Sequence, residues 1–245
     1  MDLQVALVLL AVGFAAFVKG FVGFGFPLIS VPMLALLMDP RTAVIAVAIP
    51  TLLSNAFVLV RGTIPRKAVR RALPFVIPLV ASAMLGASLL PRLDPRVLSL
   101  AIGAVSAVFA VLSLVRVNLK LTPAQERFAS PAMGIVCGVT GGATSIYGPL
   151  VALYFRALGY DKWAFVYVVS LVFLLGLLAQ NVTYATLGLY SAEAIQYGLL
   201  ACVPTFVGVE LGMRAQRLAS LPFFDYAVLA VILLGSLNLV VRSLT

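Results

Sequence analysis

The 245-residue chain is 63% hydrophobic and 10% charged, with a mean hydropathy of +1.15, where a soluble domain carries roughly 25% charged residues. A water-soluble core of this size cannot bury so much apolar surface, so lipid is the solvent for much of it. The net charge of +9 gathers in short gaps between apolar runs, as at Arg61, Arg66, Lys67, Arg70 and Arg71; that is the placement of cytoplasmic loops facing anionic lipid, and it speaks against nucleic acid as a partner.

A helical span needs about 20 largely apolar residues. The first apolar region, 3–38, is too long for one helix and is interrupted by Gly20, Gly23, Gly25 and Pro27. Two helices or half-helices meeting at a break are expected there, as a hairpin or as one discontinuous span. Its start, Met1-Asp2-Leu3-Gln4, lacks the basic region of a cleavable signal and is read as part of a membrane segment. Single spans are expected at 41–60, 70–90 and 96–116. Region 129–158 repeats the pattern of the first, with Gly138, Gly141, Gly142, Gly148 and Pro149. Further spans follow at 161–181, 193–212 and 222–242. Continuous apolarity without alternation argues against strands.

A shift of 122 residues aligns the two parts of the chain without a gap. Gly20 falls on Gly142, Pro27 on Pro149, Leu28 on Leu150, Asp39 on Asp161, Gly86 on Gly208 and Arg92 on Arg214. Duplication explains both breaks, both Asp turns and a Gly-x5-Arg spacing in one register. The expected organisation is an N-terminal transmembrane repeat, 1–117, a cytoplasmic linker, 118–128, and a C-terminal transmembrane repeat, 129–245. With loop 61–71 placed in the cytoplasm, a hairpin at 129–158 puts twelve basic residues inside and four outside, whereas a single crossing gives nine and seven. The positive-inside rule favours the hairpin. The fold class expected is therefore an all-α polytopic membrane protein of two inverted repeats, each of about four transmembrane helices with a Gly/Pro-broken, re-entrant or hairpin first segment.

Irregular backbone at membrane depth is tolerated only where protein or a watery cavity satisfies its amides. Helices starting near Pro27 and Pro149 would aim free N–H groups at the breaks, which makes an anion site in physical terms. The candidate substrate residues are Lys19, Gly20, Gly23, Gly25 and Pro27 at the first break, and Thr140, Gly141, Gly142, Thr144, Ser145, Tyr147 and Pro149 at the second. The bland reading of the glycines is close helix packing, and of the hydroxyls, bonds to their own helix. Lys19, the one basic residue deep in an apolar run, is either a counter-charge for an anion or a snorkelling side chain. Asn55, in the stripe Pro50-Thr51-Leu52-Leu53-Ser54-Asn55, and Asn181, in the pair Gln180-Asn181, lie towards the ends of corresponding helices and either line a path or bond a neighbour. Asp39 and Asp161 are expected to cap the helices that follow. Glu210 either pairs with Arg214 one turn later or carries a proton. No histidine is present, and Cys137 and Cys202 lack metal-ligand spacing, so no metal or cofactor is expected.

The run Gly20-Phe21-Val22-Gly23-Phe24-Gly25-Phe26-Pro27-Leu28-Ile29-Ser30-Val31-Pro32, followed by Pro50-Thr51-Leu52-Leu53-Ser54-Asn55, resembles the opening of the TauE/SafE family of sulfite and organosulfonate exporters. The Gly-rich segment 138–149, the short linker and the Gly-x5-Arg elements are also similar to that family. The resemblance spans essentially the whole chain. It implies a multi-pass permease of the bacterial cytoplasmic membrane that moves small sulfur oxyanions or organic acids, usually outward. The family's usual GGG-like run is here Gly-Phe-Gly-Phe, and bulky Phe24 and Phe26 bear on substrate size. Both lines of reasoning point to an anion, and the mechanism expected is alternating access around a central site built by the two breaks, with the lipid bilayer and a small anion as partners. An anion channel and a membrane-embedded enzyme or assembly factor are the alternatives; no nucleophile–base pair or cofactor motif supports the enzyme.

Overall fold

The computed structural model describes residues 3–23, 25–114, 120–218, 233, 237, 238, 240 and 241. Phe24, Asp225 and most of the expected span 222–242 lie outside these residues. The described chain forms α1 (Leu3–Val22), α2 (Phe26–Ala35), α3 (Pro40–Arg61), α4 (Arg66–Leu89), α5 (Pro95–Leu114), α6 (Pro123–Thr144), α7 (Gly148–Ala157), α8 (Lys162–Thr186) and α9 (Ala192–Leu218), with a 3-10 turn at Leu90–Arg92. No strand occurs among the described residues. Helices α1, α3, α4, α8 and α9 are long and apolar enough to cross a membrane. Helices α2 and α7 have ten residues each. They rise about 15 Å and reach half-way through a hydrocarbon core of about 30 Å.

Local chemistry sets the helix starts. Asp39 caps α3 by accepting from the N–H groups of Arg41 and Thr42 at 2.9 and 3.2 Å, and Asp161 caps α8 by accepting from Trp163 and Ala164 at 3.0 Å each. Helix α6 begins at Pro123, inside the stretch read as linker, because Thr122 and Gln125 form a capping box ahead of it. Between α1 and α2 the chain turns on Gly23 and Gly25, at φ 95 and 104, and between α6 and α7 on Ser145, at φ 60. Pro27 and Pro149 occupy the first turns of α2 and α7, where a missing N–H costs nothing.

At one end of the molecule Gln4 donates to the Leu37 carbonyl at 2.9 Å and Arg41 to that of Leu93 at 2.5 Å. At the other end the basic loops meet. Arg71 makes a bidentate bridge to Glu126 at 2.7 and 2.6 Å and donates to the Leu158 carbonyl at 3.2 Å. The Leu121 N–H bonds the Ala157 carbonyl at 3.1 Å, and the Tyr160 hydroxyl bonds that of Ala68 at 3.2 Å. Arg61 and Arg214 both grip Glu210, at 2.8 and 2.9 Å. The expected Glu210–Arg214 pair thus exists and is extended by Arg61 of another helix.

The long helices pack in a crossed pattern. Helix α1 lies along α9, α6 along α4, and α3 and α8 touch each other, α3 also packing on α9 and α8 on α4. Glycines allow the close approaches. Gly20 of α1 sits against the backbone of Val209 and Gly212 of α9, and Gly142 of α6 against that of Ala83 and Ala87 of α4. One apolar cluster gathers around Val12, Phe26, Leu28, Val44 and Tyr184, and a second around Phe75, Leu79, Phe155 and Val172. The second stacks Phe75 on Tyr154 with ring centroids 4.8 Å apart.

Candidate functional site

The two helix interruptions meet. Gly25, Pro27 and Leu28 after the first, and Ser145, Tyr147 and Gly148 at the second, enclose a small cavity together with Thr51 of α3 and Phe173 and Leu177 of α8. Its volume of about 10 Å³ holds roughly one water molecule.

On the α3 side three polar residues follow Pro50, of which Thr51 lines the cavity, and all three bond within the helix. Thr51 donates to the Val47 carbonyl at 2.6 Å, and the Ser54 hydroxyl and Asn55 amide both donate to the Thr51 carbonyl at 2.8 Å. This leaves the Ser54 and Asn55 oxygens as acceptors. Lys19, in the last turn of α1, fills them: its Nζ donates to Ser54 Oγ and Asn55 Oδ1, both at 2.8 Å. Lys19 is only 3% exposed, so its stem does not snorkel to water. It is the one buried charged residue among the described residues, and no carboxylate pairs with it there. A lysine at the centre of a membrane helix costs about 2.5–3.5 kcal/mol on insertion scales. Such a residue is a functional-site candidate by default.

On the α8 side a neutral network fixes the second break. Ser145 Oγ donates to the Val44 carbonyl of α3 at 3.1 Å and accepts from Gln180 Nε2 at 2.8 Å. Gln180 Nε2 also reaches the Gly142 carbonyl at 3.1 Å and the Tyr184 hydroxyl at 2.6 Å. Tyr147 donates towards the Gly176 carbonyl and Gln180 Oε1, each at 3.2 Å. Ser145 is fully buried and is the only non-glycine residue at positive φ among the described residues. Its left-handed backbone is held by this network, and such strain clusters at functional sites.

The remaining candidates divide between packing and local bonding. Gly20 and Gly142 serve helix contact, as above, and Gly141 lies under the Tyr147 ring. A Cβ added at Gly23 would meet a Val166 methyl at an ordinary 3.6 Å. Thr140 donates to the Val136 carbonyl at 2.8 Å and Thr144 to that of Thr140 at 2.7 Å, so both hydroxyls bond their own helix. Thr144 Oγ1 additionally accepts from the Ile146 N–H at 3.2 Å. Asn181 bonds back to the Leu177 carbonyl at 2.6 Å and accepts from the Tyr190 hydroxyl, away from the cavity lining. Phe26 is fully buried in the core and does not line the cavity. The inward residues of α8 that sequence reading left out of the site are Phe173, Gly176, Gln180 and Tyr184. Their i, i+3, i+4 spacing was the available signal.

Residues 8–239 match the profile of the family described as Sulfite exporter TauE/SafE. None of the curated proteins and none of the solved structures matches the chain. A match of that length, on a helical chain with five helices able to span a membrane, makes this an integral membrane transporter and not an enzyme. The chain belongs to the TauE/SafE sulfite exporter family.

Proposed function

We propose that the protein exports small anions, such as sulfite, sulfonates or related organic acids, by alternating access around the cavity where the two helix interruptions meet. One observation carries this reading: a buried lysine with no carboxylate partner among the described residues, Lys19, bonds the same turn of α3 whose Thr51 lines that cavity. The site consists of Lys19, Gly25, Pro27, Asn55, Ser145 and Tyr147, with Gly20, Gly23, Gly141, Gly142 and Pro149 shaping the backbone around it. Thr140, Thr144 and Asn181 act through the helices they bond.

The rocking units of this proposal are two inverted repeats. The 122-residue shift carries α2 onto α7 and the start of α3 onto the start of α8. Equivalent glycines approach exchanged partners, Gly20 on α9 and Gly142 on α4. The hydrogen bonds Gln4–Leu37 and Leu121–Ala157 tie together the two ends of each broken segment, as a pair of hairpins entering from opposite faces requires. Symmetry-related units of this kind exchange the open side by moving against each other around a fixed site.

The test is exchange of labelled sulfite, a sulfonate and a dicarboxylate in vesicles containing the purified protein. A carrier saturates with substrate, and Lys19→Ala abolishes the saturable flux. Flux that rises without limit points to a channel, and absence of flux for every anion removes the function.

A further inference from the structure

Helix α4 carries its exposed residues on one narrow arc. Arg66, Arg70, Leu73, Ile77 and Met84 are all exposed, and their spacing of i, i+4, i+7, i+11 and i+18 keeps them within about 60° of one line along the helix. Lys67 is exposed beside the first two. The opposite face carries Phe75, Leu79 and Ala83, which are buried in the second apolar cluster. The outward stripe is thus three cations followed by apolar side chains, on a helix long and apolar enough to span a membrane.

The cations are not balanced within the described protein. Arg71, on the flank of the stripe, is taken by Glu126 and the Leu158 carbonyl. Arg66, Lys67 and Arg70 make no ion pair with a described residue, and the first turn of α4 has no acid. Like charges three and four residues apart repel, and cations are disfavoured at the positive end of a helix. A bound anion removes both penalties, and guanidinium groups suit phosphate oxygens. From Arg70 the stripe runs about 10 Å to Ile77 and about 21 Å to Met84, against a leaflet depth of about 15 Å, half of the hydrocarbon core. A soluble anion would use the cations alone. A phospholipid uses the cations with its phosphate and the apolar stripe with an acyl chain.

We propose that this face of α4 is a binding site for an anionic phospholipid. Arg66, Lys67 and Arg70 hold its phosphate, and one acyl chain lies along Leu73 and Ile77. The site stands apart from the transport reading above, and it discriminates lipids by headgroup charge.

Binding is read from quenching of a single tryptophan by lipids with brominated chains, in phosphatidylcholine vesicles containing the full chain. Ile77→Trp in a Trp163→Phe background puts the only tryptophan on the stripe. Val203→Trp in the same background puts it at an exposed position of α9. Brominated phosphatidylglycerol is expected to bind at Ile77→Trp at least about fivefold more strongly than brominated phosphatidylcholine, with a ratio near one at Val203→Trp. Arg66→Gln combined with Arg70→Gln is expected to bring the first ratio to within about twofold of one. Inorganic phosphate is expected to weaken the preference no more than sodium chloride of equal ionic strength does.

Equal quenching by the two lipids at Ile77→Trp overturns the proposal. So does the same preference at Val203→Trp, a preference that survives the double substitution, or displacement by phosphate beyond the salt effect. Absence of quenching by either lipid means that a second copy of the chain covers the stripe, which overturns it too. Where Ile77→Trp does not elute as a single species, the unsubstituted chain is given both lipids in competition and read by native mass spectrometry. Preferential retention of phosphatidylglycerol is then expected, and equal retention overturns the proposal.

Discussion

Gly142→Ala drives a methyl group into the backbone of a neighbouring helix, and its cost follows from the geometry. A Cβ at Gly142 meets the Ala83 carbonyl oxygen, and lies 2.9 Å from the Ala87 nitrogen and 3.0 Å from the Ala83 carbonyl carbon. Relaxed carbon contacts run at about 3.5–4.0 Å. Backbone atoms cannot swing aside as a side-chain tip does, so α4 and α6 must part by roughly 1 Å to restore those distances. Overpacking of this kind costs typically about 1–3 kcal/mol. At roughly 2–4 °C per kcal/mol for a chain of this size, the melting temperature falls by roughly 2–12 °C. The assay is the fraction of detergent-solubilised protein that remains monodisperse after heating. Gly20→Ala is expected to behave alike, since its Cβ meets the Val209 carbonyl and lies 3.0 Å from the Gly212 Cα. Gly13→Ala is the control: its Cβ meets only Pro204, at an ordinary 3.7 Å, and alanine is the better helix former. A Gly142→Ala protein melting with the wild type, or Gly13→Ala falling as far, refutes the packing argument.

Lys19→Gln keeps a donor for Asn55 but removes the charge, and saturable anion exchange is expected to drop at least about tenfold (~1.4 kcal/mol) in protein that still elutes as a single species. Ser145→Ala loses the bonds to Val44 and from Gln180 while keeping the left-handed strain, so a loss of about 1–3 kcal/mol is expected. Ser145→Gly loses the same bonds but relieves the strain, by about 1–2 kcal/mol, and is therefore expected to melt above Ser145→Ala. Thr186→Cys, placed at the exposed C-terminal end of α8 in a background without Cys137 and Cys202, is expected to react with an impermeant thiol reagent from outside the cell only. Reaction from the cytoplasm alone would reject the inverted arrangement. Arg71→Ala removes the bridge to Glu126 and the bond to Leu158. It is expected to lower stability by about 1–3 kcal/mol, measured by the same heating assay.

Much of this was legible because it rests on local rules. The spans around α3, α4, α5, α8 and α9 follow from apolar length, and the starts of α3 and α8 from Asp39 and Asp161. The places where the chain leaves the helix are marked by Gly23, Gly25 and the prolines. Helix α6 starts earlier than apolarity suggested because a polar capping box, Thr122 with Gln125, opens it before the hydrophobic stretch begins. What the sequence hid depends on which face a residue takes. Gln180 and Asn181 are neighbours, yet a 100° step turns the first into the network and the second back to its own helix and Tyr190. Gly20 and Gly142 lie in the last turns before the two interruptions but meet other helices, which no single-helix pattern could reveal. The Arg61 contact with Glu210 joins residues 149 apart in sequence, beyond the reach of any local spacing rule.

The crossed packing of α1 on α9 has a consequence for how the protein is made. The helix that receives Gly20 leaves the ribosome about 170 residues after α1 is complete, or roughly 10–30 s later at 5–20 residues per second. Throughout that interval α1 sits in lipid with its glycine face open. Its ammonium must wait for α3 before Ser54 and Asn55 can accept from it. The nascent chain therefore passes through a period in which the glycine face and Lys19 of its first helix lack their partners, and a membrane insertase or chaperone that shelters such a helix has its clearest client there.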